Sequence, residues 1–266
     1  MGIDLVPSLH TDYVGNIANF DFKSKDDFIV VNLAAMRQDF GHAPTDYYER
    51  NVRDHTEFLK RIPVEDCLGF IHVGSVACFD GEKIRFSKNL TTDNAYRSTK
   101  ALQSAKIEKW CEKSGVSFAQ LMPSAIYTDK VRTDTNIGKL QTLTKRIAVL
   151  PDIAVRKSLT YLPSFTMALV KIIEDRSITG TFLTIEEPVK TVTEIMRDQA
   201  PRPIWVIRVP FFKHILTVIA TLSLMLYKIT GIDLKLYPNR VKKLFSDTSY
   251  DWVNNVDRNF YNEASK

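Results

Sequence analysis

Residues 95–100 read AYRSTK, with Tyr96 and Lys100 four positions apart. On a helix that spacing puts both side chains on one face, a turn from each other. An ordinary phenol has a pKa of about 10 and is a poor base near neutrality. A cation beside it favours the phenolate and draws that value down. Such a pair can move a proton on and off a substrate hydroxyl as a general base. With 10 tyrosines and 21 lysines in 266 residues, chance supplies about one Tyr-x-x-x-Lys, and the chain has one. The surroundings must therefore carry the assignment. The run GFIHVGS ends on Ser75, 21 residues ahead of Tyr96. A serine delivered there can hydrogen-bond the substrate oxygen that Tyr96 deprotonates.

These residues need elements to hold them. DDFIVVNLAA (26–35), LGFIHVGS (68–75) and VSFAQLMP (116–123) are strand-like apolar runs that end in small residues or proline. Residues 45–62 and 94–115 read as helices, the second introduced by Thr92 and Asp93 and ended near Gly115. Strand alternating with helix predicts a parallel sheet covered by helices, an α/β chain whose pockets open at the carboxyl ends of its strands. Beyond Tyr127, helices are expected over 136–147, 163–174 and 191–199, with a strand over 180–187. His72, in mid-strand, reads as a packed histidine.

An apolar fraction of 44% and a charged fraction of 25% are those of an ordinary globular protein. Cys67, Cys78 and Cys111 are odd in number, with no CxxC, which fits a reducing compartment. The five histidines form no ligand spacing with carboxylates, so no metal is expected. From Pro201 onward ten Lys and Arg face five Asp and Glu, which accounts for the whole net charge of +5. Without interleaved aromatics or a binding motif this is not a nucleic-acid groove; a phosphate-bearing ligand, an anionic membrane surface or a solvated basic face fits it. The stretch 211–231 is apolar nearly all round. Its uncharged core, 215–227, is 13 residues, short of the roughly 20 that span a bilayer, so it is expected to be buried, interfacial or laid on a membrane near Lys213, Lys228 and Lys235.

Across roughly residues 2–200 the pieces resemble, in order, the extended short-chain dehydrogenase/reductases of the NAD-dependent epimerase/dehydratase family, which act on nucleotide sugars. NLAA (32–35) resembles the strand end whose backbone passes the cofactor, implicating Leu33, Ala34 and Ala35. YYERNVRDHTEFL resembles the helix whose asparagine, here Asn51, supports the active site. HVGSVACF resembles the serine strand, AYRSTK the Tyr/Lys helix, and LMPSAIYT the strand by which nicotinamide and sugar sit, with Pro123 at the cofactor. RKSLTYLPSF resembles the segment whose basic residue grips the substrate diphosphate, by position Lys157 with Arg156 beside it. MGIDLVPS resembles the second strand of the fold, with Asp4 at the adenosine ribose, and VGNI the adenine side, with Asn16 and Ile17. The resemblance implies a Rossmann-like doubly wound sheet over 1–128 and a smaller, mostly helical substrate region over 129–266, interleaved with the sheet. It also implies NAD rather than NADP, a nucleotide-sugar or lipid-linked sugar substrate and a homodimer; with the cysteine usage and the 211–231 stretch, a cytoplasmic protein with peripheral membrane contact is expected.

The departures narrow this. Met122-Pro123 stands for the family's Arg-Pro, Ala125 and Thr128 for its asparagine and glycine, and Gly74-Ser75-Val76 for the Thr-Asp-Glu of the dehydratases, so dehydration is not expected. RTDTNIGKLQTLTKR (132–146) followed by RKSLTYL (156–162) looks most like C4 epimerases of bacterial polysaccharide loci. The family's opening strand and Gly-x-x-Gly-x-x-Gly loop, which hold the pyrophosphate, have no counterpart here. By the family's pattern the sequence begins about thirty residues late, and weak NAD binding with little turnover is expected. Two readings follow: an NAD-dependent sugar epimerase, or a related carbonyl or hydroxysteroid-type reductase; and, from another class, a non-catalytic remnant that binds substrate without cofactor.

Overall fold

The structure, a computed structural model, describes the chain except residues 24, 25, 37–41, 81, 82, 131–134, 233–236, 254, 255, 258, 265 and 266. Four apolar runs form one parallel sheet in the order Gly180–Thr184, Ser117–Pro123, Cys67–Val73, Phe28–Asn32. Successive side chains on a strand point to opposite faces. Phe70 and Val30 therefore join Phe58, Leu59, Ile62, Ile107 and Cys111 on one side. Ile71, Leu121 and Phe182 join Phe165, Ala168 and Ile172 on the other. Both faces are covered, which is why these strands read as continuous apolar runs. This is a Rossmann-like, doubly wound α/β sheet. A separate parallel pair, Ile3–Asp4 with Tyr13–Val14, packs Ile3 and Tyr13 against the first of these cores.

The helix expected over 45–62 is one run in three parts: Pro44–Tyr48, a π-helical turn Glu49–Arg53, and Asp54–Arg61. The helix Ala95–Ser114 starts one residue beyond the expected caps, at Asn94, whose side chain accepts from the Thr91 N–H at 2.8 Å. It ends where Gly115 takes a left-handed turn at φ 68°.

The chain divides into two units. The first comprises 1–124, 162–185 and 253–266; the second comprises 125–161 and 186–252. The chain thus leaves the first unit after Ser124 rather than at 128, and returns to it twice. Within the second unit, three two-stranded ladders (Ala125–Tyr127 with Leu159–Tyr161, Val149–Pro151 with Trp205–Ile207, Arg156–Lys157 with Lys190–Thr191) accompany the helices Asn136–Thr144, Val192–Asp198, Phe212–Thr230 and Pro238–Leu244. The apolar stretch forms the helix Phe212–Thr230, 19 residues rather than the 13 of its uncharged core, long and apolar enough to cross a membrane. It is not a core helix: only Ala220 and Ser223 are buried.

Candidate active site

Parallel strands bring their carboxyl ends to one edge, and the candidate residues of the first unit gather there. Ser75 follows Cys67–Val73, Leu33 to Ala35 follow Phe28–Asn32, and Pro123 closes Ser117–Pro123. Gly74 lets the chain pass close: a Cβ there would meet Met122 Sδ at 2.4 Å. The helix Ala95–Ser114 covers one face of the sheet, and its first half is tied to two of these ends. Lys100 Nζ donates to the Val73 carbonyl at 2.9 Å and to Gln103 Oε1 at 2.8 Å. Gln103 Nε2 donates to the Ala34 carbonyl at 3.2 Å.

Tyr96 is half-buried, and its phenol stands close to Ser75, whose hydroxyl accepts from the Ala77 N–H at 3.2 Å. The structure therefore brings Ser75, Tyr96 and Lys100 together at the strand ends. The expected electrostatics are corrected. Burial raises the Tyr96 pKa above that of an ordinary phenol, with Ser75 pulling the other way. Burial likewise lowers Lys100 to about 8. The ammonium rests on a carbonyl and an amide oxygen, and desolvation dominates the shift of each group.

Asn51 sits fully buried in the π-helical turn. Its Oδ1 accepts from the Met36 N–H at 2.6 Å and its Nδ2 donates to Thr99 Oγ1 at 3.1 Å. It ties the loop after Phe28–Asn32 to the Tyr/Lys helix, so it positions other groups. A second buried network, which sequence reading missed, is centred on Asn32. Asn32 Oδ1 accepts from the Ala34 N–H at 3.1 Å and faces His55 Nε2 at 3.3 Å, while its Nδ2 faces His72 Nδ1 at 3.3 Å. His72 Nε2 meets Ser104 Oγ at 3.1 Å. Burial lowers both histidines, His55 to about 4. The sequence carries little signal of it: Tyr96, Thr99, Lys100, Gln103 and Ser104 repeat at helical spacing as a solvated polar face would, and only the structure shows that face buried from Thr99 onward.

The other expected contacts fare unevenly. Asp4 is exposed, with Oδ1 accepting from the Val6 N–H at 3.1 Å. Asn16 is already engaged: Oδ1 accepts from the Ala18 N–H at 3.0 Å and Nδ2 donates to Asp54 Oδ2 at 2.8 Å. Ile17 packs against the core. In the second unit, Arg156 pairs with Asp251. Lys157 Nζ donates to the carbonyls of Lys243, at 3.0 Å, and Ser246, where it closes the last turn of Pro238–Leu244 as a cation does at a helix C-terminus. Both basic groups expected at a diphosphate thus hold partners within the protein. Among the described residues no group of three or more His, Cys, Asp and Glu could hold a metal ion.

No protein-family model and no curated protein matches the chain. Solved structures do. A UDP-glucuronic acid 4-epimerase from Bacillus cereus in complex with NAD aligns at TM-score 0.56 and 16% identity over 90% of this chain and 83% of that one. A UDP-N-acetylglucosamine 4-epimerase from Methanobrevibacter ruminantium, in complex with UDP-N-acetylmuramic acid, aligns at 0.56 and 16% over 76% and 72%. The UDP-glucose 4-epimerase of Thermus thermophilus, in complex with NAD, aligns at 0.52 and 13% over 69% of this chain and 65% of that one. At such identities the likeness is one of fold: the chain carries the Rossmann-like α/β fold on which these sugar 4-epimerases are built.

Proposed function

We propose that the chain is an epimerase-type oxidoreductase of nucleotide sugars, with its proton-moving group at Tyr96. The observation that carries this reading is the approach of Tyr96 to Ser75 at the carboxyl end of a parallel sheet, with Lys100 one turn along the same helix and bonded to the Val73 carbonyl at that end. The fold likeness to 4-epimerases supports the substrate class.

The cofactor proposed is NAD, which when bound supplies a hydride acceptor and donor at the sugar carbon. The residues present fit its two ends. Asp4 offers an exposed carboxylate for vicinal ribose hydroxyls, and Tyr96, Lys100 and Pro123 stand at the strand ends where a nicotinamide ring packs. Its pyrophosphate has no matching cradle, since none of the chain's 10 glycines forms a Gly-x-x-Gly-x-x-Gly loop. Tyr96 takes the proton of the sugar hydroxyl and returns it, while Ser75 holds the same oxygen. For that, the phenolate must be stabilised beyond what Ser75 provides, and Lys100 is the cation one turn away on its face. Asn51 keeps the helix in register through Thr99. Arg156 and Lys157 stay in the proposal as diphosphate contacts, each having to leave its present partner to serve.

Interconversion of C4-epimeric UDP-sugars at excess NAD tests this. Tyr96→Phe should lower turnover by about 10²–10⁴-fold, the usual worth of a general base. Equal turnover in the variant, or none in the unsubstituted chain, overturns the reading.

A further inference from the structure

The helix Phe212–Thr230 presents a surface that the proposed chemistry does not use. Ile215, Val218, Ile219, Leu222, Met225 and Ile229 are exposed and recur at three- and four-residue intervals, so they form one outward stripe. The opposite side carries Ala220 and Ser223, both buried, and Phe212, which packs on Phe245 and on the core around Leu150 and Val192. The stripe is therefore a second apolar face. Exposed aromatics precede it, with Trp205 at 76% and Phe211 at 78% of full exposure.

Charge selects the partner. Between Gln199 and Ile232 there is no Asp or Glu, while Arg202, Arg208, Lys213 and Lys228 lie in that stretch. The neighbouring helix Pro238–Leu244, packed on Phe212–Thr230, adds the exposed Lys242 and Lys243. Arg208 stands 4.0 Å from Asp152, so Lys213, Lys228, Lys242 and Lys243 carry the complementarity to an anionic lipid surface: apolar side chains enter the acyl boundary and lysines meet the headgroups. The same neighbour argues against a span, which would draw Lys242 and Lys243 into hydrocarbon at a cost of several kcal/mol. A second copy of the chain would bring like charge against like.

We propose that the Phe212–Thr230 helix seats this protein in the plane of an anionic membrane, peripheral rather than spanning. Co-sedimentation of the purified chain with vesicles of phosphatidylcholine, alone or mixed with phosphatidylserine, tests it. The chain should pellet with the anionic vesicles, be released by high salt, and shift its tryptophan emission to the blue. Lys228→Ala should weaken binding about fivefold. Ile219→Glu with Leu222→Glu, both on the exposed stripe, should weaken it about 100-fold at unchanged melting temperature. Three results each overturn the proposal. One is no pelleting with anionic vesicles at low salt. Another is equal binding to neutral vesicles that resists salt and alkaline carbonate, which marks a span. The last is a dimer by analytical ultracentrifugation that Ile219→Glu with Leu222→Glu dissolves, with no vesicle binding. None of them bears on Tyr96.

Discussion

His55 is 4% exposed and faces oxygen on both sides: Nδ1 meets the Arg50 carbonyl at 3.0 Å and Nε2 meets Asn32 Oδ1 at 3.3 Å. A neutral ring can donate to only one of them. Protonation would satisfy both, yet burial costs more and holds the pKa at about 4 against 6.5 for an ordinary histidine. Between those values the unfolded chain binds more protons than the folded one, so stability present above pH 6.5 is lost as pH falls through 4. The shift corresponds to about 3 kcal/mol. Burial lowers His72 in the same direction. Urea unfolding followed from pH 7 to 4 should show this loss, and His55→Asn should flatten the profile. None of this was legible in the sequence, where His55 is one more polar residue on a charged helix. Its burial follows from the sheet that the helix covers.

At the scale of elements, the Tyr/Lys helix depends on how it ends. Gly115 at φ 68° lets its N–H return to the Cys111 carbonyl, and a Cβ there would meet nothing within 4 Å. The cost of a side chain is thus conformational alone, about 1–2 kcal/mol. Gly115→Ala should lower the melting temperature accordingly while leaving the Lys100–Val73 bond in place. The end of this helix was readable because a glycine after a helical run has one common use. The π-helical turn Glu49–Arg53 was not, since nothing in ERNVR distinguishes it from α-helix; it follows Asn51 reaching both Met36 and Thr99. Where Lys157 Nζ rests was not legible for a related reason. A basic pair looks the same whether it meets a phosphate or the carbonyls that close a neighbouring helix.

At the scale of the whole molecule, the strand Phe28–Asn32 pairs with Cys67–Val73, and among the described residues no strand pairs its other edge. No Gly-x-x-Gly-x-x-Gly run in residues 1–266 offers its amides to a dinucleotide's pyrophosphate. Titration of residues 1–266 with NAD, followed by tryptophan fluorescence, should give an affinity on the order of 100-fold weaker than for a version carrying a strand, glycine-rich loop and helix ahead of Met1. That factor corresponds to one or two charge-assisted contacts. Micromolar binding by the unextended residues would show that the two ends of the cofactor suffice.

The sequence by itself determined the parallel α/β sheet, because strands buried on both faces must be apolar throughout and must alternate with helices that cover them. It also determined which helix carries Tyr96 and Lys100, since a four-residue spacing has one meaning on a helix. Tertiary structure alone decided what those groups are worth. Tyr96 is raised and Lys100 lowered because packing strips their water, and desolvation belongs to the assembled environment. It also decided that Phe212–Thr230 turns an apolar face outward: the same residues would read alike in a core, and only the count of available partners distinguishes the two.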